Sequence, residues 1–229
     1  MCGDRPGRRT RRSARRYCKV VGPKVQQYAQ LLLEWNRSIN LTGARTLDQV
    51  EALIADAGVL GGAPWTGIMR VIDIGSGGGL PAVPLAIAMP RVQFTLLEAN
   101  SRKCAFLEHV AGALELRNVV VAPGRAEELG HLPALREQFD RAISRAAARP
   151  EVLLELALPF VRTGGDLIAQ VSPLDPVVLE PASRLLGGGT PRLERADARG
   201  RALMVVPKLG STPSRFPRRT GLPGRKPLA

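Results

Sequence analysis

A glycine-rich stretch follows the first short apolar run of the chain. Residues 71–86 read VIDIGSGGGLPAVPLA, with glycines at positions 75, 77, 78 and 79 and prolines at 81 and 84. Glycines placed after a strand let a ligand approach the backbone closely. A pyrophosphate would use the amide hydrogens at the start of the next helix, and the two prolines remove two of these donors. The loop therefore favours a nucleoside ligand that lacks a pyrophosphate, such as S-adenosylmethionine (SAM).

Two other interpretations of the loop compete with this one. A dinucleotide fingerprint counted from Gly75 needs a glycine at position 80, where the chain has Leu80, so an NAD-linked oxidoreductase is disfavoured. A tight strand-to-helix turn that binds nothing also requires glycines, and this interpretation stays open from the loop alone.

Acidic residues recur after the next two apolar runs. Glu98 ends VQFTLLE about twenty residues beyond the glycines, where a carboxylate can accept hydrogen bonds from both hydroxyls of a ribose. The segment GRAEEL then supplies Ala126 and Glu127, where an adenine would rest. Glu127 either reaches the adenine amino group or complements a helix dipole, and the sequence leaves both open.

Two absent motifs narrow the chemistry of methyl transfer. The chain has no Asn/Asp-Pro-Pro-aromatic sequence, which is typical of enzymes that methylate exocyclic amines, and no Pro-Cys for a covalent route to C5 of a pyrimidine. The remaining nucleophile is one that attacks a sulfonium methyl unaided. Guanine N7 fits, because its ring lone pair carries no proton. No general base is required, and no catalytic residue is predicted.

The spacing of apolar residues predicts the elements that position these groups. Residues 25–39 and a second segment that begins after Thr46 have the periodicity of amphipathic helices. From residue 69 onward strands alternate with helices, and RLERADA and RALMVVPK at the end read as an antiparallel hairpin. The pattern predicts an α/β fold of the Rossmann-like class I SAM-dependent methyltransferases: a mostly parallel seven-stranded sheet, a C-terminal antiparallel hairpin and an N-terminal helical extension.

The net charge of +13 lies entirely at the two ends of the chain. Residues 1–20 contain eight Arg or Lys and one Asp, and residues 207–229 contain six Arg or Lys and no acid, while the body between them is neutral. Cationic segments on a neutral body indicate a polyanionic partner, RNA or DNA. Segments that merely keep the chain in solution are the alternative.

The cysteines and the apolar runs of the chain indicate in which compartment the protein works. The three cysteines have no CxxC spacing and read as free thiols, so we expect a cytoplasmic protein without a metal site. No apolar run approaches about 18 residues, so no membrane span is expected. Nothing in the sequence indicates more than a monomer.

Six segments together resemble the ribosomal RNA small subunit methyltransferase G family, also called glucose-inhibited division protein B. They are NLT (40–42), VIDIGSGGGLPAVPLAI (71–87), SRKCAFL (101–107), GRAEEL (124–129), ISRAAA (143–148) and FPRRTGLPGRKPL (216–228). The resemblance implies SAM-dependent methylation of N7 of one guanine in the 530 loop of 16S rRNA, with the rRNA or the small ribosomal subunit as partner.

The resemblance also implies site residues. Cofactor contacts are expected at Gly75, Gly77, Gly79, Leu80, Glu98, Ala126, Glu127 and Arg145. RNA contacts are expected at Arg102, Lys103, Arg218, Arg219, Arg225 and Lys226. The chain departs from the family where Leu53 replaces a His and where Gln170–Val171 replaces Lys-Gly, and both departures concern substrate positioning.

The expected organisation is a basic, disordered extension (1–20), a helical segment (21–65), a SAM-binding domain (66–206) and a basic C-terminal tail (207–229). Besides rRNA methylation, two alternatives stay open. One is a methyltransferase of a small molecule or protein, and the other is a non-catalytic RNA-binding relative.

Overall fold

Strands and helices alternate through most of the chain. The computed structural model describes residues 22–145, 147–172, 175–195 and 202–229. The strands are β1 (Arg70–Ile74), β2 (Gln93–Glu98), β3 (Val119–Pro123), β4 (Phe139–Arg145), β5 (Val161–Val171), β6 (Arg192–Arg195) and β7 (Ala202–Pro207). The helices are α1 (Pro23–Trp35), α2 (Leu47–Ala57), α3 (Ala82–Ala88), α4 (Ser101–Ala113), α5 (Ala126–Leu129), α6 (Pro150–Ala157), α7 (Glu180–Leu185) and α8 (Leu222–Arg225), with 3-10 turns at Gly58–Gly62, Leu158–Phe160 and Pro176–Leu179.

All seven strands form one sheet in the order β3-β2-β1-β4-β5-β7-β6. Strands β1 to β5 are parallel, and β7 pairs antiparallel with both β5 and β6. The predicted fold class is therefore confirmed, including the terminal hairpin. The chain order reverses at β1, and ligands of such sheets bind beyond the carboxyl ends of the strands at that point.

Alternate residues of the central strands bury opposite faces of the sheet. Val71, Ile143 and Ile168 belong to a core shared with α1, α2, α3 and α4. Ile72 and Leu167 belong to a second core shared with α6, α7 and Phe216. Both faces are covered, which is why these strands read as nearly continuous apolar runs.

The N-terminal helical segment ends in a loop held by one side chain. Helix α1 ends at Trp35, earlier than the predicted residue 39, and the amide of Asn36 then bonds the loop internally. Its Oδ1 accepts hydrogen bonds from the amides of Leu41 and Thr42, and its Nδ2 donates to the carbonyls of Thr42 and Ala44. At the start of helix α2 the Thr46 hydroxyl accepts a hydrogen bond from the backbone N–H of Gln49 and so caps the helix.

The C-terminal segment, expected as a basic tail, packs along the sheet. Phe216 is buried in the second core. Lys208 is buried with its ammonium group donating to the Leu158 carbonyl at 2.7 Å, with Glu137 at 3.5 Å. Burial is the main reason that the pKa of Lys208 falls to about 8, although Glu137 opposes the shift. The segment is thus a structural part of the folded body.

Some sequence expectations concern residues outside the described ranges. The basic extension at residues 1–20 and the hairpin turn at 196–200 both lie there. Within the described ranges, no helix is long and apolar enough to cross a membrane. Within the same ranges, no group of three or more His, Cys, Asp or Glu side chains is arranged to hold a metal ion.

Candidate active site

A cavity of about 470 Å³ opens at the carboxyl ends of β1, β2, β3 and β4. Its lining includes every predicted cofactor residue except Gly79, together with Lys103 from the start of α4. Two further lining residues, Leu41 and Thr42, come from the loop after α1. The cavity therefore lies where the sheet topology predicts a ligand, and the N-terminal segment forms one of its walls.

Glu98 organises the glycine loop from the neighbouring strand. One carboxylate oxygen accepts the Gly77 amide at 2.9 Å, and the other accepts the Asn100 amide at 2.8 Å. The side chain is only 8% exposed yet lines the cavity. Each oxygen keeps a free lone pair, so the carboxylate can still accept the two hydroxyls of a ribose.

Two glycines of the loop are required by close packing. A Cβ at Gly75 would lie 2.7 Å from the Cβ of Ala147, which follows β4. Gly79 has a φ of +84°, and a Cβ there would lie 2.6 Å from Cγ2 of Val83. Gly79 therefore lets α3 pack against the loop. It does not line the cavity, although the sequence analysis predicts a cofactor contact there.

Tyr28 of α1 holds the glycine loop from behind. It is completely buried, and its hydroxyl donates to the Gly78 carbonyl at 2.6 Å. In the sequence Tyr28 reads only as part of an apolar helix face, because nothing local shows that its hydroxyl meets a loop fifty residues away. The contact links the N-terminal segment to the cavity floor.

We expect Tyr28→Phe to lower the free energy of unfolding by about 1–2 kcal/mol, because the Gly78 carbonyl loses its buried donor. The affinity for SAM should fall as the loop loosens. Thermal unfolding and calorimetric titration with SAM measure the two effects. Unchanged stability and SAM affinity in Tyr28→Phe would contradict this role.

Glu127 connects the cavity to the C-terminal segment. Its Oε1 accepts the Gly221 amide at 3.0 Å and lies 3.2 Å from Nη2 of Arg125. Burial alone would raise the pKa of Glu127, but these donors hold it below its ordinary value, so the group stays ionised. One of its oxygens is thus engaged within the protein, and the other remains for a ligand amino group.

Asp73 is a buried acid within the glycine-rich segment 71–86, but the sequence analysis does not predict it as a site residue. It is 1% exposed, and neither carboxylate oxygen has a hydrogen-bond partner among the described residues. Burial is the main reason that its pKa rises to about 7. Glu98 adds to the shift, whereas the nearby Ser76 hydroxyl, the charge of Arg145 and the nearby Ala82 backbone amide oppose it. An unpaired carboxylate beside a cavity is suited to a cationic ligand.

Arg145 ends β4 and lines the cavity. Its Nη1 donates to the carbonyl of Leu53 in α2 at 2.9 Å. Burial lowers its pKa, while Tyr28 and Asp73 act in the opposite direction. Because the contact uses the backbone of residue 53, it does not depend on the side chain at that position.

Gln170 lies beside Arg145, with which it is in register across β4 and β5. It is 8% exposed, and neither atom of its amide has a hydrogen-bond partner within the described part of the chain. An unpaired buried amide is costly, by roughly 1–3 kcal/mol. The buried amide of Gln170 is therefore expected to lower the free energy of unfolding.

We expect Gln170→Met to raise the free energy of unfolding by about 1 kcal/mol, because a similar volume is kept and the unpaired amide is removed. Gln93→Met is the matched control, since Gln93 is exposed in β2. Urea unfolding of both variants gives the comparison. A loss of stability in Gln170→Met would show that the amide is paired in solution.

The predicted RNA-binding residues differ in their surroundings. Arg102, Arg219, Arg225 and Lys226 are exposed, and Lys103 is partly buried in the cavity wall. Arg218 instead makes an ion pair with the buried Glu155 at 2.6 Å, and its Nη2 also donates to the Lys226 carbonyl. Arg218 is therefore committed to the protein interior, whereas the others remain accessible to a partner.

The sheet order with its antiparallel β7, and a cavity formed by a glycine loop and an acid at the end of β2, define a class I SAM-dependent methyltransferase. The solved structure of TnmH has this fold, with a TM-score of 0.51 and 16% identity over 71% of this chain and 58% of that chain.

A family model described as GidB, rRNA small subunit methyltransferase G, matches residues 22–171. Ribosomal RNA small subunit methyltransferase G of Deinococcus deserti is 38% identical over 91% of this chain and 90% of that protein. The protein of the same name from Chloroflexus aggregans is 40% identical over 90% and 89%. The chain therefore belongs to the rRNA small subunit methyltransferase G family.

Proposed function

We propose that this protein transfers a methyl group from SAM to N7 of a guanine in the 530 loop of 16S rRNA. Membership of the family supports the reaction and the substrate. The observation that carries the proposal is the cavity itself, which is lined by Glu98 and the glycine loop. The buried acid Asp73 precedes the lining residue Ile74 in β1.

The residues present fit SAM as a ligand. The adenosine half needs an acid for its ribose, and Glu98 has two accepting oxygens in the cavity wall. The methionine half carries positive charge, and Asp73 is an acid without a partner among the described residues. Asp73 is close enough to Glu98 and Arg145, both in the lining, for their charges to shift its pKa. We therefore assign Glu98 to the ribose and Asp73 to the cationic end.

When bound, SAM supplies an electrophilic methyl group on a sulfonium. The guanine N7 lone pair needs no proton removed, so no residue of the chain has to act as a base. What the protein supplies is position: holding two reactants in alignment can lower the barrier by about 7–11 kcal/mol. The bonds of Tyr28, Glu98 and Arg145 keep the cavity walls in place for this purpose.

The test uses small-subunit RNA from a strain that lacks the native enzyme. We expect transfer of the tritiated methyl group of SAM to this RNA, and N7-methylguanine at one position of the 530 loop. Naked 16S rRNA and 30S subunits should be compared as substrates. No incorporation into either, with SAM binding intact, would reject the proposal and favour a non-catalytic relative. Incorporation into a protein or small molecule alone would favour the other alternative.

We also propose that Arg102, Lys103, Arg219, Arg225 and Lys226 contact the rRNA. Deleting residues 207–229 is a poor test of this, because Lys208 and Phe216 are buried in the body. Substituting the exposed cations leaves those contacts intact. The triple variant Arg219→Gln, Arg225→Gln and Lys226→Gln should weaken RNA methylation and make it less sensitive to salt. Unchanged salt dependence would exclude a phosphate contact for this group.

A further inference from the structure

A second cavity, of about 400 Å³, lies on the loop that follows α1. It is lined by Leu33 and by loop residues between 36 and 45, which include Arg37 and Arg45. The described lining contains two arginines and no acidic residue. We call this cavity the arginine cavity. A concave site with two positive charges and apolar side chains suits an anion attached to a less polar group.

The charges of the arginine cavity are not neutralised within the described part of the chain. Both arginines are exposed, and neither has an ion-pair partner there. Arg45 uses one nitrogen, Nη1, for weak contacts to the carbonyls of Thr42 and Ala44 at 3.3 and 3.4 Å. Most guanidinium donors are therefore available to a phosphate, which arginine binds bidentately.

The loop that forms this cavity is held in one shape before any ligand arrives. Four hydrogen bonds of 2.8–2.9 Å from the Asn36 amide close it internally. The Gln49 side chain accepts the Arg45 amide at 2.7 Å and joins the end of the loop to α2. A preorganised loop loses little conformational entropy on binding.

The same loop also forms part of the rim of the cofactor cavity. Leu41 and Thr42 line the cofactor cavity, while Arg37, Asn40 and Arg45 line the arginine cavity. Enzymes that act on a base commonly take it out of the stack into the active-site pocket, and the nucleotides beside it then cross the rim of the site. A strand that delivers its base past Leu41 and Thr42 brings its neighbouring phosphate to the arginines.

We propose that the arginine cavity binds a backbone phosphate and the adjoining ribose of the RNA nucleotide next to the target guanine. Leu33 and Ile39 provide an apolar surface for the sugar, and the two guanidinium groups bind the phosphate. The proposal rests on RNA methylation as the function. It places the RNA over the N-terminal loop, which contains the segment NLT (40–42) but for which the sequence analysis predicts no RNA contact.

The test compares two double variants of the full-length protein. Arg37→Gln with Arg45→Gln removes the charge from the arginine cavity. Arg91→Gln with Arg117→Gln removes the same charge from exposed positions just before β2 and β3, at the opposite edge of the sheet. The readouts are KM and kcat for small-subunit RNA, the Kd for SAM, and the salt dependence of kcat/KM.

In the arginine-cavity variant we expect KM for RNA to rise at least tenfold, with kcat and the Kd for SAM within twofold of the wild type. The slope of log kcat/KM against log salt should become shallower by about 0.7 for each phosphate that the variant no longer binds. The control variant should behave as the wild type. A third variant, Arg37→Lys with Arg45→Lys, keeps the charge and should be intermediate, because lysine cannot bind bidentately.

Equal KM values in the two Gln variants would overturn the proposal, as would a loss of SAM affinity or thermal stability that accounts for the whole effect. If Arg45 proves necessary for the loop itself, Arg37→Gln alone gives the answer, since Arg37 has no side-chain bond within the described residues. If the wild type methylates no RNA, the proposed function fails first. Anisotropy with a short guanine-containing RNA then still decides whether the arginine cavity binds the strand.

Discussion

Replacing Asp73 by Asn is expected to stabilise the ligand-free protein above pH 7, where the carboxylate is ionised, and to weaken SAM binding. The carboxylate is fully buried and unpaired among the described residues, so its ionised form is costly. Asparagine has nearly the same shape and no charge. The bound cofactor, in contrast, loses the acid that we assign to its cationic end. A charge-assisted hydrogen bond of about 1.5–3 kcal/mol corresponds to a loss of roughly 10- to 150-fold in affinity.

The pH dependence of the free energy of unfolding follows from the direction in which the pKa of Asp73 is shifted. The pKa of Asp73 is about 7 in the folded protein and 3.8 in its ordinary state, so the folded state binds this proton more tightly. The free energy of unfolding should therefore fall as the pH rises from about 4 to about 7, and the loss should persist above 7. The shift corresponds to at most about 4 kcal/mol. In Asp73→Asn this part of the pH dependence should disappear.

Urea unfolding between pH 5 and 8 and calorimetric titration with SAM over the same range measure both effects. In the wild type, SAM affinity should rise as Asp73 ionises towards pH 7. Glu98 and Arg145 remain in the variant, so pH dependence that survives there belongs to groups other than Asp73. Wild-type affinity in Asp73→Asn would show that the positive end of SAM is bound elsewhere.

Two adjacent arginines of the C-terminal segment, Arg218 and Arg219, are expected to differ strongly in their effect on stability. Arg218→Ala should lower the free energy of unfolding by about 3–5 kcal/mol, because it leaves the 1%-exposed Glu155 without its cation. The backbone amide of Arg218 also donates a hydrogen bond to Oε1 of Glu155 at 2.7 Å, and this bond helps to fix the segment. Arg219→Ala changes an exposed cation and should leave stability within about 0.5 kcal/mol of the wild type.

Thermal unfolding distinguishes the two variants at once, with a decrease in Tm of roughly 6–15 °C expected for Arg218→Ala. SAM affinity should also fall in Arg218→Ala, since the Gly221 amide that bonds Glu127 lies three residues further along the segment. Arg219→Ala should keep SAM affinity and lose affinity for RNA. Equal Tm values for the two variants would contradict the structural role of the Arg218–Glu155 pair.

The C-terminal segment shows where reasoning from charge reaches its limit. Its six basic residues and lack of acids predict an RNA-binding tail, and composition cannot show which cations are already paired. The partners of Arg218 and Lys208 are Glu155 and Glu137, more than sixty residues away in the chain. Only the folded chain separates the cations that hold the segment from those that remain exposed.

The sequence by itself determined the fold class and most of the cofactor cavity. Strand periodicity, the glycine spacing and the acid at the end of β2 are local patterns, and parallel strands necessarily bring their carboxyl ends to one edge. Glu98, Ala126 and Arg145 could therefore be placed together in advance. The confirmed architecture follows from the same local information.

The tertiary structure alone decided which polar groups have partners. The sequence places Asp73 in the glycine-rich segment and marks Gln170 as a departure from the family, but it cannot show that both side chains are buried without a hydrogen-bond partner among the described residues. Tyr28, which looks like a core residue, holds the glycine loop through its hydroxyl. The loop after α1 forms walls of two cavities because it folds back over the sheet. The energy of a polar group depends on its solvent exposure and its partners, and both are set by residues distant in the chain.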